Sequence, residues 1–243
     1  MARHAGFGRP DRALARRTLA FGLKLHPTRF MDVGSYRGDQ WLLGSIAGSR
    51  ELGIYSVAVA WAEALFYLPG VLVLVQRPDL VRAARERAVA LVSRVFRVTI
   101  MLASAAAVVL IVLAPVLCVW IFGDPFEEAV GQLRVLALAA WGISAVVLLS
   151  GAMIAQNRPL AASASGLVTF LATLALSAVL IPWQGGDGAA LARTLAYTIG
   201  GVGTVLIFKR TLGGSPRDLL PGRADLEWLG DLRRKLSGSG ARG

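Results

Sequence analysis

Six ionisable side chains crowd one stretch that is otherwise long enough to cross a bilayer: Lys24, His26, Arg29, Asp32, Arg37 and Asp39. A seventh, Glu63, stands alone in the apolar run that follows. At 100° per residue, Lys24, Asp32 and Asp39 fall within about 80° of one another on a helix. Arg29 lies one step further round and is spaced i, i+3 to Asp32, so those two can pair. His26 and Arg37 fall within about 20° of each other on a separate stripe. Ionisable groups at membrane depth cost about 2.5–3.5 kcal/mol each on insertion scales, so they cannot all face lipid. One reading is a helix lining a hydrated cavity, where Lys24, His26, Arg29 and Arg37 attract an anionic substrate. A second is that the charges pair with each other and with Glu63 to fix helix packing. A third is a poor span, stable only inside a larger protein. Glu63 has two readings of its own: a partner for Arg37, or a proton- or sodium-coupling carboxylate.

Other chemistries find little support. Cys118 is the single cysteine and sits in an apolar run, where it reads as a small hydrophobe. His4 and His26 are too far apart in sequence to suggest a zinc site. Glu51, Asp124, Glu127, Glu128 and Asp187 lie in short connections with no histidine, so no acid–base or metal constellation is legible. The expectation is a protein that is not an enzyme, with no catalytic residue, metal or cofactor.

The elements that must position these residues follow from composition. Of 243 residues, 55% are hydrophobic and 17% charged, against about 25% charged in an average soluble domain. That excludes an ordinary soluble enzyme, a disordered chain and a nucleic-acid-binding domain, and points to an integral membrane protein. Apolar runs predict spans at about 53–76, 95–122, 129–156, 159–183 and 188–208. The polar stretch at 18–46 is a sixth candidate that hydropathy alone would reject. Charge placement decides for it, since Lys and Arg collect in cytoplasmic loops. Twenty of the 26 basic residues lie before residue 18, between Arg77 and Arg97, at Arg158, or after Phe208. They share one side only if 18–46 crosses. Arg50, Arg134 and Arg193 are then assigned to the opposite connections.

The expected fold is an all-α integral membrane bundle of six transmembrane helices, residues 18–210, with both termini cytoplasmic. Residues 1–17 form a basic cytoplasmic segment, and 211–243 a partly disordered cytoplasmic tail in which Leu226 to Leu236 suggests a short interfacial helix. The basic stretch from Arg77 to Arg97 reads as a cytoplasmic extension of the third span, or else as an amphipathic surface helix. Pro27, Pro69, Gly70 and Pro115 are expected to bend or interrupt their spans.

Three phrases together resemble a known family. Residues Phe21 to Leu72 carry an Arg-x-Asp element at Arg37 and Asp39, a Leu-Gly-x-Tyr-Ser element at Leu52 to Ser56, and the mid-span Glu63. Ile121 to Trp141 and Leu180 to Tyr197 carry two further turn-and-helix phrases. Over about residues 17–210 their order and spacing resemble the C-terminal half of the oligosaccharide flippases, the polysaccharide biosynthesis proteins of the multidrug/oligosaccharidyl-lipid/polysaccharide exporter superfamily. The resemblance implies two six-helix bundles around a central cavity in a bacterial plasma membrane. It implies export of a polyprenyl-diphosphate-linked oligosaccharide for cell-surface polysaccharide. Lys24, Arg29 and Arg37 would attract the diphosphate, with Asp32, Asp39 and Glu63 as coupling or pairing groups. This chain supplies one bundle. The expectation is therefore an incomplete or half transporter, working with lipid-linked glycan, membrane lipids and a second six-helix half on the same or a separate chain. No nucleic acid is expected as a partner. The alternative is a non-transporting scaffold in an envelope-assembly complex.

Overall fold

A computed structural model describes residues 12–214, 216–220 and 222; within the first helix, the side chains at 14, 17, 20, 21, 24–30 and 32 lie outside the description. The described residues are helical with short connections. α1 spans Arg12–Ile46, α2 Gly48–Arg82, α3 Arg85–Pro115, α4 Glu128–Ala137, α5 Ala140–Ala155 and α6 Pro159–Leu212. α3 continues through one π turn at Val116–Trp120, and a 3-10 turn at Asp124–Phe126 leads into α4. Pro115 has no N–H for the α-helical ladder, which accounts for the change of hydrogen-bond period there. The leading segment and the proposed interfacial helix of the tail lie outside the described residues.

The connections are set by residues that tolerate unusual backbone. Asn157 turns α5 into α6 at φ 57°, and Pro159 opens α6. Gly213 closes α6 at φ 81°. Between α2 and α3 the only interruption is Ala83–Ala84. The basic stretch is thus divided: Arg85 to Arg97 extend the third span, as the simpler sequence reading has it, whereas Arg77 and Arg82 belong to the end of α2.

α6 is two helices, not one rod. A straight helix of 54 residues would be about 81 Å long, against about 30 Å of bilayer hydrocarbon. Gly185 breaks it at φ 52°, ψ −128°, backbone that a side-chain-bearing residue resists. The second arm folds back on the first: a Cβ at Gly200 would lie 2.2 Å from Thr169 Oγ1, and one at Gly203 3.3 Å from Val168.

By length and hydropathy, α2, α3 with its π turn, and α6 can each cross a membrane, and the α4–α5 pair would make a fourth. The span expected at 129–156 is a pair of helices, bent by 43° between α4 and α5. There the Val135 carbonyl accepts from Leu138 N at 3.1 Å, a 3-10-type bond, and also from the Thr194 hydroxyl of α6 at 3.0 Å. Conversely, α2 passes Pro69 and Pro78 without ending. Packing against its neighbours holds the helix through positions where sequence alone expects interruption.

The core is stacked in layers along the bundle. At the end where α1 meets α2, Leu43, Ile54, Tyr55, Leu133 and Leu136 are buried together. Phe66, Ile143 and Tyr197 fill the middle. Leu80, Phe96, Leu148 and Phe208 fill the opposite end. Small residues let the helices approach: a Cβ on Gly142 of α5 would lie 2.2 Å from the Tyr197 carbonyl of α6. Apolar side chains also cover the outside. Trp41, Trp120 and Trp183 are exposed near the end that carries the Gly185 turn, as in the aromatic belt of a membrane interface.

Candidate functional site

The bundle carries a continuous ionic chain at its middle. Arg193, eight residues past the Gly185 break, is 1% exposed. Alanines at 189, 190, 192 and 196 around it are fully buried and leave room for its long side chain. Its Nη1 meets Asp39 Oδ2 of α1 at 3.2 Å. Asp39 also accepts a hydrogen bond from the Tyr55 hydroxyl of α2. On its other side the Arg193 guanidinium lies 3.5 Å from Glu63 Oε1. Glu63 is shared with Arg37, whose Nη1 and Nη2 stand 3.3 Å and 3.5 Å from its two oxygens. Arg37 also donates to Gln40 Oε1 at 2.8 Å.

The chain Tyr55–Asp39–Arg193–Glu63–Arg37 therefore runs from the core to a half-exposed end. Asp39 is fully buried, whereas the Glu63 and Arg37 side chains are 21% and 47% exposed. The aromatic layer insulates it. The Arg193 guanidinium carbon sits 5.6 Å from the Phe66 ring centre and 5.9 Å from that of Tyr197, within cation–π range. Tyr36 completes the cluster, its ring centre 6.4 Å from Phe66 and 6.2 Å from Tyr197.

Two guanidiniums and two carboxylates balance formally, so this chain by itself carries no surplus cation. Its bonding is also uneven. Arg193 Nε and Nη2 and Glu63 Oε1 are buried without a hydrogen bond, although the ionic distances are short. A polar network left partly unsatisfied in a low-dielectric setting is one that a small rearrangement can improve. A group that displaces Glu63 from Arg37 would leave Glu63 to Arg193 alone.

Of the residues singled out by sequence, the structure brings Arg37, Asp39 and Glu63 into one network. It contains the Arg37–Glu63 pair that one sequence reading describes. The side chains of Lys24, Arg29 and Asp32 lie outside the described set, as does that of His26. Three network members were missed. Arg193 was assigned to a connection at the start of the last span, and that is corrected: it is 1% exposed, buried beside the fully buried Asp39. Its i, i+4 spacing to Tyr197, and a buried acid elsewhere with no partner assigned, were the available signals. Tyr55 carried no charge to draw attention, and Phe66 reads as ordinary core.

A second ionic cluster ties the Gly185 turn. Gly186 N donates to Glu51 Oε2 at 2.9 Å, and Arg50 bridges Glu51 and Glu128 at 3.7 Å and 3.3 Å. This cluster joins the α1–α2 end to α4 and α6. Among the described residues no three His, Cys, Asp or Glu side chains gather as metal ligands would.

The family model described as "Polysaccharide biosynthesis protein" matches residues 8–131. That stretch is just over half of the chain and takes in α1, α2, α3 and the turn into α4. No curated protein and no solved structure matches the chain.

Proposed function

This chain belongs to the polysaccharide biosynthesis protein family, and we propose that it serves export, moving a polyprenyl-diphosphate-linked oligosaccharide across the plasma membrane without covalent chemistry. The observation that carries this reading is a charged chain at mid-bundle whose Arg37 end stays 47% exposed amid apolar helices. A half-exposed guanidinium at that depth belongs beside water or an anion, not beside lipid. The six-pass arrangement fits the same reading. α1, α2, α3, the bent α4–α5 pair and the two arms of α6 make six crossings, with the arginine-rich ends on the cytoplasmic side. In this reading Arg37, with Lys24 and Arg29 further along α1, draws the diphosphate to the bundle's open face. Glu63 is the group it displaces. A second six-helix half closes the opposite wall.

A specific observation favours a second reading. Arg37 and Asp39 each already have a partner of opposite charge, as expected of a scaffold that uses charge only to fix packing. The two readings separate in one assay. The full chain, reconstituted with a matching six-helix half, is tested for transbilayer movement of a fluorescent polyprenyl-diphosphate sugar. Transport requires that Arg37→Ala slow the movement by about tenfold or more, the scale of a lost charge-assisted phosphate contact. Equal rates for Arg37→Ala and the parent, or no movement in either, would favour the scaffold.

A further inference from the structure

A cavity of about 620 Å³ lies between α1, α2, α5 and the first arm of α6. Its walls place it along the bundle. Val33 to Arg37 and Tyr197 line the mid-bundle end, whereas Arg77, Ile154 and Ala162 line the other. Arg77 is near the end of α2, Ile154 is the penultimate residue of α5, and Ala162 is in the first turn of α6. The cavity therefore runs from the ionic chain to the arginine-rich end. On α2 the rise from Glu63, which holds Arg37, to Arg77 is about 21 Å. About 620 Å³ over that length leaves room for a hydrocarbon chain.

The chemistry of the walls is graded. Val33, Val73, Ile143, Val146 and Val147 make the shaft apolar. The hydroxyls of Ser35 and Ser150 are buried on it without a hydrogen-bond partner, and Ser35 is only 4% exposed. Buried hydroxyls are seldom left so, and they mark points where an occupant brings oxygen or water. Arg77 stands exposed at the mouth, and no ion pair to it is formed among the described residues. An apolar slot with a few polar groups and a cation at its rim is the form of an amphiphile site.

The geometry points to this cavity as a binding site for a phosphate-headed lipid. One chain lies in the shaft and the phosphate sits on Arg77 at the cytoplasmic leaflet. The site rests on the membrane-spanning reading and not on transport, so lipid binding and flipping succeed or fail independently. A membrane phospholipid and a polyprenyl phosphate share this chemistry.

Native mass spectrometry of the full chain in detergent tests it, with phosphatidylglycerol, a polyprenyl phosphate, diacylglycerol and inorganic phosphate added as separate probes. One phosphate-headed lipid is expected to be retained per chain. Arg77→Gln should weaken that retention by about tenfold or more, and Val147→Phe, which fills the shaft, should remove it. Because Arg77 is exposed, its variant keeps the fold and decides the matter if Val147→Phe does not fold. Stronger retention of phosphatidylglycerol names a membrane lipid as the occupant; stronger retention of polyprenyl phosphate names a carrier lipid. Retention unchanged in Arg77→Gln, diacylglycerol held as tightly as phosphatidylglycerol, or displacement by inorganic phosphate alone would each overturn the site.

Discussion

The Asp39–Arg193 pair and the Arg37–Glu63 pair are chemically alike and physically different. The first is 0% and 1% exposed, the second 21% at Glu63 and 47% at Arg37. Removing one partner of a buried pair strands an unpaired charge, at a cost of about 3–5 kcal/mol. A half-exposed pair is screened by water and contributes about 0–1 kcal/mol. Thermal unfolding in detergent micelles should therefore show Asp39→Ala strongly destabilised and Arg37→Ala nearly unchanged. The double variant Asp39→Asn/Arg193→Met should recover much of the loss, because neither charge remains. Strictly additive costs in the double variant would mean that the pair is not coupled. The same contrast explains what the sequence disclosed. Arg37, Asp39 and Glu63 stood out because each was a charge inside a stretch long enough to cross a bilayer. Arg193 stood near the predicted start of a span, where a basic residue is ordinary. Only the position of the Gly185 turn, eight residues before it, shows that it lies deep in the bundle.

Helix ends were legible because their causes are local. Asn157, Pro159 and Gly213 announce where α5 and α6 begin and stop, through backbone preferences carried by the residues themselves. The α4–α5 bend was not legible, since the side chain that bonds the Val135 carbonyl there is Thr194, far along the chain. The reversal inside α6 combines both kinds of cause. Glycine at 185 permits φ 52°, ψ −128°, and Glu51 from α2 holds the next N–H at 2.9 Å. Gly185→Ala is expected to cost about 1–3 kcal/mol, the scale of a residue held in a disfavoured backbone region. Its Cβ would also press to 2.9 Å on Glu51 Oε2. Glu51→Gln keeps an oxygen for Gly186 and should cost less than Glu51→Ala. Denaturant unfolding of the three variants checks the order. A Gly185→Ala protein as stable as the parent would show that the turn does not depend on glycine.

At the scale of the whole molecule, the exterior has two kinds of face. Trp120, Val108, Val109 and Val112 on the α3 side, and Leu195, Ile199, Val202 and Leu206 on the second arm of α6, are exposed and uniformly apolar, as lipid requires. The α1–α2 side is mixed. Tyr67, Val71, Leu74 and Val75 are exposed there, on the helix that also carries Glu63, and Arg37 is half-exposed beside them. Charges facing hydrocarbon at mid-depth cost about 2.5–3.5 kcal/mol each, more than a marginal bundle tolerates. In the proposed reading this side is covered by water or by a second half, whereas the α3 side needs no cover. Spin labels placed by cysteine on a Cys118→Ala background distinguish the two. A label at Val112 should be accessible to oxygen and shielded from a water-soluble relaxation agent, as at any lipid-facing site. A label at Tyr67 should favour the water-soluble agent in the chain alone, and lose access to both agents when the matching half is added. Oxygen-accessible, lipid-like behaviour at Tyr67 under both conditions would show that α1 and α2 face the bilayer directly, and the transport reading would lose its open wall.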